Sequence, residues 1–186
     1  MQVEKTEIRD LLIIQPQIFE DERGYFFETH NKLRMEYFGL DLDFVQDNIS
    51  CSRKGTIRGL HYQIGEFAQG KLVSVLKGKV LDVAVDIRIG SPTFGKHLAV
   101  ELSDKNKTQL WIPSGFAHGF SVLSDNTIFY YKCTNFYNKE HERSIIYNDE
   151  TLNIKWKVEN PLVSKKDLDA RNFNELKDED FFDYRK

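Results

Sequence analysis

The spacing of its turns constrains this chain more than anything else in it. Nine of its eleven glycines fall between Gly55 and Gly119. The apolar residues of the same region come in short runs: Phe44 to Ser52, Arg58 to Ile64, Lys71 to Leu76, Val80 to Ile87, His97 to Leu102, Gln109 to Ile112, Phe116 to Leu123 and Thr127 to Thr134. Runs of this length, bounded by glycine and polar turns, are strands; a helix needs a longer stretch with a 3.6-residue period. Strands so closely spaced pair as antiparallel neighbours. An all-β sandwich or barrel is predicted, and the strand count fits a jelly roll.

Outside that region the signals are sparser. Leu11 to Ile14 is a short strand ended by Gln15-Pro16, and Asp21-Glu-Arg-Gly24 is a turn before the aromatic strand Tyr25 to Thr29. Asn31 to Phe38 is the best helix candidate, with Asn31 as N-cap and Gly39 as its end. Residues 1–186 read as a single domain, with 168–186 a charged tail that packs over the barrel as helix or loops. At 186 residues and 40% hydrophobic, the chain can bury a real core. A net charge of −3 argues against a general nucleic-acid binder. The charged amino terminus resembles no signal peptide and no apolar run approaches a membrane span, so a cytoplasmic protein is expected. Cys51 and Cys133 form no CxxC pair and read as buried structural thiols.

Chemistry centres on Arg58-Gly-Leu-His-Tyr-Gln63. Strand alternation places Arg58, Leu60 and Tyr62 on one face and Gly59, His61 and Gln63 on the other. The strand opening at Lys71 could lie beside it and bring an ammonium near the His61 imidazole. A base beside a cation suits proton abstraction next to a carbonyl. On this stretch alone a core histidine satisfied by internal hydrogen bonds is the favoured reading. His118, after the turn in Gly115-Phe-Ala-His-Gly119, fits a barrel mouth or a plain turn equally well. Thr127, Phe129 and Tyr131 share one face of their strand, and a core aromatic is the ordinary role for such a tyrosine. The run Val80 to Ile87 carries Asp82 and Asp86 on one face. A metal site of the His-x-His kind lacks its second histidine, because the strand reads His61-Tyr62-Gln63. No P-loop, nucleophile elbow or dinucleotide fingerprint occurs.

Eight segments together resemble one family. They are Asp21-Glu-Arg-Gly-Tyr-Phe-Phe-Glu28, Gln46-Asp-Asn48, Arg58-Gly-Leu-His-Tyr-Gln63, Gln69-Gly-Lys71, Asp82-Val-Ala-Val-Asp-Ile-Arg88, Ser91-Pro-Thr-Phe-Gly95, Trp111-Ile-Pro-Ser-Gly-Phe-Ala-His-Gly-Phe120 and Tyr147-Asn-Asp149. In this order they resemble the dTDP-4-dehydrorhamnose 3,5-epimerases, from about Ile8 to Asp167. The resemblance implies a metal-free cupin jelly roll working as a homodimer on a dTDP-4-keto-6-deoxy sugar, with no cofactor, nucleic acid or membrane partner. It implies His61 as proton acceptor, Asp167 as the carboxylate orienting it, Tyr131 as proton donor across the sugar and Lys71 as the cation near the C4 oxygen. It implies Arg23, Glu28, Gln46, Asn48, Arg58 and His118 as ligand contacts, Tyr137 against thymine, and Glu142 and Lys166 as further contacts. Glu28 beside a phosphate would be unfavourable, so it is expected on base, ribose or an arginine. Leu11 to Phe19 could supply a strand exchanged in the dimer.

Three departures from the family pattern stand out. Ile154-Lys-Trp-Lys157 lacks a proline after the tryptophan, Asp167 has no proline close behind it, and Asp169 lies near enough to compete for the orienting role. A 3-epimerase, a sugar 3,4-ketoisomerase of similar fold, a metal cupin and a non-catalytic jelly roll that binds nucleotide sugars are the rival readings.

Overall fold

The computed structural model describes residues 1–184. In chain order its elements are β1 (Gln2–Lys5), β2 (Leu12–Gln15), β3 (Phe19–Asp21), β4 (Gly24–Phe26), α1 (Lys32–Tyr37), β5 (Gln46–Ser52), β6 (Thr56–Gln63), β7 (Lys71–Lys77), β8 (Lys79–Asp86), β9 (Arg88–Ile89), β10 (His97–Ser103), β11 (Gln109–Ile112), β12 (Phe116–Val122), β13 (Thr127–Cys133), β14 (Glu142–Ser144), β15 (Leu162–Val163), α2 (Lys165–Leu168) and β16 (Phe182–Asp183). Two sheets face each other. One runs β1-β2-β11-β7-β13-β5 and the other β10-β8-β12-β6-β14, with β15 beside the start of β6. This is the antiparallel jelly roll that the strand spacing predicts, of the cupin type that the resemblance implies.

The chain turns from one sheet into the other at Gly78, between β7 and β8. Its φ is +85°, a conformation that glycine adopts freely. Its N–H donates to Asp104 at 2.9 Å, so the corner leaves no orphan donor. Asn31 caps α1 as expected: its side chain accepts from the Arg34 N–H, and Gly39 closes the helix with φ +81°.

The apolar pattern is explained by three layers. Val73, Val75, Leu110 and Phe129 meet Val80, Ala84, Leu102, Phe120 and Val122 between the sheets. The outer face of the second sheet, with Leu60, Tyr62, Leu81, Val83 and Val85, is covered by Ile145, Leu152, Trp156 and Phe173. β8 is therefore buried on both faces, which is why its sequence is almost continuously apolar. Met35 of α1 covers Leu72 and Trp111 on the outside of the first sheet.

The tail is part of this cover. Beyond α2 it forms short 3-10 turns at Phe173–Glu175 and Asp178–Asp180, then β16, which pairs in parallel with β9. Its last two positions, 185 and 186, lie outside the described residues. Leu12–Gln15 pairs with β1 and β11 of its own chain, so the candidate exchanged strand has its partners within one protomer. Cys133 is buried as expected, but Cys51 is exposed. It lies on β5, an edge strand whose alternate residues Asp47, Ile49 and Cys51 face solvent. Among the described residues no helix is long and apolar enough to cross a membrane.

β6 and β12 approach closely where the histidines lie. A Cβ built on Gly59 would stand 2.6 Å from Gly119 Cα and 2.8 Å from the His118 carbonyl oxygen, and φ at Gly59 is +121°. Both obstacles are backbone and cannot swing away. Gly59→Ala should therefore destabilise the fold by about 2–5 kcal/mol from overpacking plus backbone strain. Urea unfolding of the variant measures it; a loss under about 1 kcal/mol would mean the strands separate easily.

Candidate active site

The largest features of the site follow from this layering. A cavity of about 540 Å³ opens between the sheets, and His61, Lys71, Tyr131 and Asp167 all line it, with Arg58, His118 and Lys166. The strands that carry them are not the neighbours that sequence order suggests. β6 and β12 hold the two histidines in one sheet, while β7 and β13 hold Lys71 and Tyr131 in the other. Lys71 therefore faces His61 across the sandwich and does not sit beside it on an adjacent strand.

Arg58 also departs from simple alternation. Along β12, His118 to Phe120 spans two residues; their partners on β6, His61 and Arg58, are three apart. The extra residue is a β-bulge, and it reverses the facing of everything before it. Arg58 thus lines the same cavity as His61, while Leu60 and Tyr62 pack in the outer core. Its Nε donates to the Ser52 hydroxyl at 3.1 Å.

His61 Nε2 lies 2.6 Å from Asp167 Oδ1. Asp167 stands on the short turn of α2, held there by Ser164, whose side chain accepts from the Asp167 N–H. Burial alone would raise the Asp167 carboxyl. The hydrogen bond and charge of His61, with Ser164 and the Gly59 N–H, outweigh it and hold the group below its usual range. An ionised carboxylate only accepts, so Nε2 carries the hydrogen of this bond. Asp169 is the C-cap of α2, so the choice between the two carboxylates falls on Asp167.

The opposite wall has its own tuning. Burial pushes Lys71 below the ordinary lysine range, although Cys133, Asp82 and Glu142 oppose it. Burial also raises Tyr131, with Cys133 and Glu142 adding and Arg58 opposing, which keeps the phenol protonated. Its ring packs against Phe129, which stacks on Phe120 at 4.1 Å between centroids. His118 is buried and sits 2.9 Å from Asp82. Burial lowers its pKa, Lys71 and His61 add to that, and Asp82 opposes. The arrangement offers a base held by a carboxylate, a protonated phenol in the facing sheet and a desolvated cation in the same cavity. Such a set can remove a proton next to a carbonyl, hold the enolate and return a proton from elsewhere.

Most of the remaining candidates are joined to the cavity wall through Lys166 and Tyr131. Tyr137 Oη donates to Glu142 at 3.0 Å, and Lys166 Nζ lies 2.5 Å from the same carboxylate. Burial would raise Glu142, but these two partners and His61 bring it down. Gln46 accepts from the Tyr137 N–H at 2.9 Å and donates to Asn48, whose strand partner is Tyr131. Two candidates are not brought in. Arg23 sits on the exposed β3–β4 hairpin and pairs with Asp21. Glu28 meets an arginine as expected, but it is Arg34 of α1, at 2.8 Å and away from the cavity. Asp82, Phe120 and Phe129 belong to the site as well. A carboxylate inside a continuously apolar strand is the signal that could have marked Asp82, since a buried charge needs a partner. Among the described residues no three His, Cys, Asp or Glu side chains converge as metal ligands.

The family profile described as dTDP-4-dehydrorhamnose 3,5-epimerase matches residues 5–175. An enzyme of that name from Shigella flexneri is 57% identical over 174 residues, covering 93% of this chain and 96% of its own. The crystal structure of dTDP-6-deoxy-D-glucose-3,5-epimerase from Legionella pneumophila, in complex with dTDP-4-keto-L-rhamnose, superimposes with a TM-score of 0.96 at 50% identity, covering 100% of this chain and 99% of its own. ChmJ, a 3'-monoepimerase from Streptomyces bikiniensis in complex with dTDP-quinovose, gives a TM-score of 0.84 at 32% identity, covering 90% and 85%.

Proposed function

The chain belongs to the dTDP-4-dehydrorhamnose 3,5-epimerase family, and from that premise we propose how its cavity inverts C3 and C5 of dTDP-4-dehydro-6-deoxy-D-glucose to give dTDP-4-dehydro-L-rhamnose. The substrate ketone at C4 makes the hydrogens on C3 and C5 acidic. His61 takes one of them, leaving an enolate whose charge lies largely on the C4 oxygen. Asp167 orients the imidazole and stabilises its charged form. Lys71 lowers the energy of the enolate oxygen, an effect typically of about 3–4 kcal/mol for one oxyanion donor. Tyr131 returns a proton to the opposite face, and the centre inverts. The reaction involves no net redox change. The observation that carries this reading is the 2.6 Å contact of His61 with Asp167 in one cavity with Lys71 and Tyr131.

Binding follows from charge. Arg58 and Lys166 suit the diphosphate, and the Arg58 fork matches phosphate oxygens; His118, buried against Asp82, suits the sugar. Tyr137, about half exposed at the rim, suits stacking on thymine, with Glu142, Gln46 and Asn48 around it. Arg23 and Glu28 do not line the His61 cavity of their own protomer. Phe19, Tyr25 and Phe26 of the same hairpin are each more than half exposed. A homodimer in which this hairpin lies over the partner's cavity accounts for both facts, since covering three aromatics contributes several kcal/mol. Sedimentation should give twice the 21.8 kDa chain mass, and Phe26→Asp should shift it toward monomer with a raised KM. We treat residues 1–186 as one domain. Two free thiols suit a reducing compartment, so the cytoplasm belongs to the same proposal.

The functional test is incubation with this substrate in deuterated water: deuterium should enter at both C3 and C5. Incorporation at C3 alone would favour a 3-epimerase, the second reading, which the likeness to ChmJ keeps in view. The state of Lys71 gives a pH prediction. Its pKa is lowered by burial, and only the protonated form stabilises the enolate. kcat/KM should therefore fall as pH rises through a value below the ordinary lysine pKa of about 10.4. Lys71→Arg should move that limb upward in a pH–rate profile; an unmoved limb would assign it to another group.

A further inference from the structure

We propose that Asp180, in the carboxyl-terminal tail, is a positioning residue for the nucleotide rim, acting through Arg143 on Glu142. The inference rests on the proposed role of Glu142 in binding the nucleotide. Asp180 is 3% exposed. Arg143 Nε donates to its Oδ1 at 2.8 Å, Arg171 Nη2 lies 3.3 Å from Oδ2, and the Lys177 N–H donates to it at 3.2 Å. The other side of the Arg143 guanidinium faces the rim. Nη1 donates to the carbonyls of Glu140 at 2.9 Å and Glu142 at 3.0 Å.

A planar guanidinium fixed at Nε by a buried carboxylate has little freedom at Nη1. It therefore sets the backbone at residues 140–142, from which the Glu142 side chain reaches Tyr137 and Lys166. β14 pairs Glu142–Ser144 with Gln63, Tyr62 and His61, and backbone bonds from Ile64 to His141 and between Leu60 and Ile145 flank it. These bonds hold the segment from the β6 side only, and the Asp180–Arg143 link grips the Glu140 and Glu142 carbonyls from the tail side. Without Asp180, Arg143 and Arg171 would face each other uncompensated and the fork would move. The tail thus reaches the ligand indirectly while touching none of the cavity.

The test measures affinity for dTDP by calorimetry, together with kcat, KM and melting temperature, in Asp180→Asn, Arg143→Lys, Glu142→Gln and the Asp180→Asn/Glu142→Gln double variant. Arg143→Lys keeps a charge near Asp180 but loses the fork. Asp180→Asn and Arg143→Lys should each weaken dTDP binding and raise KM about five- to tenfold, with kcat within about twofold. In the double variant binding should be no weaker than in Glu142→Gln alone. Folded variants with unchanged dTDP affinity, or losses that multiply in the double variant, would overturn the inference. If Asp180→Asn does not fold, Arg143→Lys decides by the same measures. If Glu142→Gln itself leaves binding intact, the rim reading falls as well. If Glu142→Gln weakens binding and neither other variant does, this inference alone falls.

Discussion

His61→Ala should lower turnover about a thousandfold while leaving dTDP affinity nearly unchanged. A positioned general base contributes about 10²–10⁴ in rate. His61 shares the cavity wall with Arg58 and His118, whereas Tyr137, Gln46, Asn48 and Glu142, proposed around the base, are not part of that lining, so losing the imidazole should leave most dTDP contacts in place. Steady-state kinetics and dTDP titration separate the two effects. Equal loss of both would mean that His61 is a binding or folding residue. The same variant has a stability signature. Asp167 is held below its unfolded pKa of about 3.9, so it stabilises the fold above that value and the benefit is lost as pH falls through the folded one. Without His61 the main partner lowering Asp167 is gone, and acid unfolding followed by circular dichroism should begin at higher pH.

Tyr131→Phe should separate proton removal from inversion. The base side remains, so His61 still takes a proton from C3 or C5 and can return deuterium to the face it came from. The opposite face has lost its donor. Exchange in deuterated water should therefore continue with retention at a rate within about tenfold of wild type, while net epimerisation falls by about 10²–10⁴. Phe differs from Tyr here by one hydroxyl against the same Phe129 ring, so packing is nearly preserved. Loss of exchange and inversion together would place Tyr131 on the base side or in a packing role.

Much of this architecture was legible in the chain because period and turn chemistry are local. Gln109–Ile112 forms a strand as read, Asn31 caps its helix, and β13 alternates with Phe129 and Tyr131 inward while Tyr130 and Lys132 reach Asp47 on the outside. What was not legible depends on register and layering. Alternation put Arg58 opposite His61 because a two-residue period says nothing of a bulge. Nearness in sequence put Lys71 on an adjacent strand because the switch of sheets is set by all the strands together. The grouping of His61, Asp167, Lys71 and Tyr131 came from the family resemblance. Asp167 is 106 residues beyond His61 and stands on a four-residue helical turn with no periodic signal of its own. Arg23 and Glu28 are the candidates that do not line the His61 cavity, because the β3–β4 hairpin and the start of α1 hold them elsewhere.

Inversion in this cavity requires an imidazole and a phenol on opposite faces of one sugar ring with an ammonium at the ketone. A crystal structure with a dTDP-6-deoxyglucose analogue, carrying a hydroxyl in place of the C4 ketone, tests it most directly. The ring should lie between His61 and Tyr131, with its C4 oxygen within hydrogen-bond distance of Lys71 Nζ. A ring bound with both side chains on the same face, or with C4 turned away from Lys71, would contradict the account.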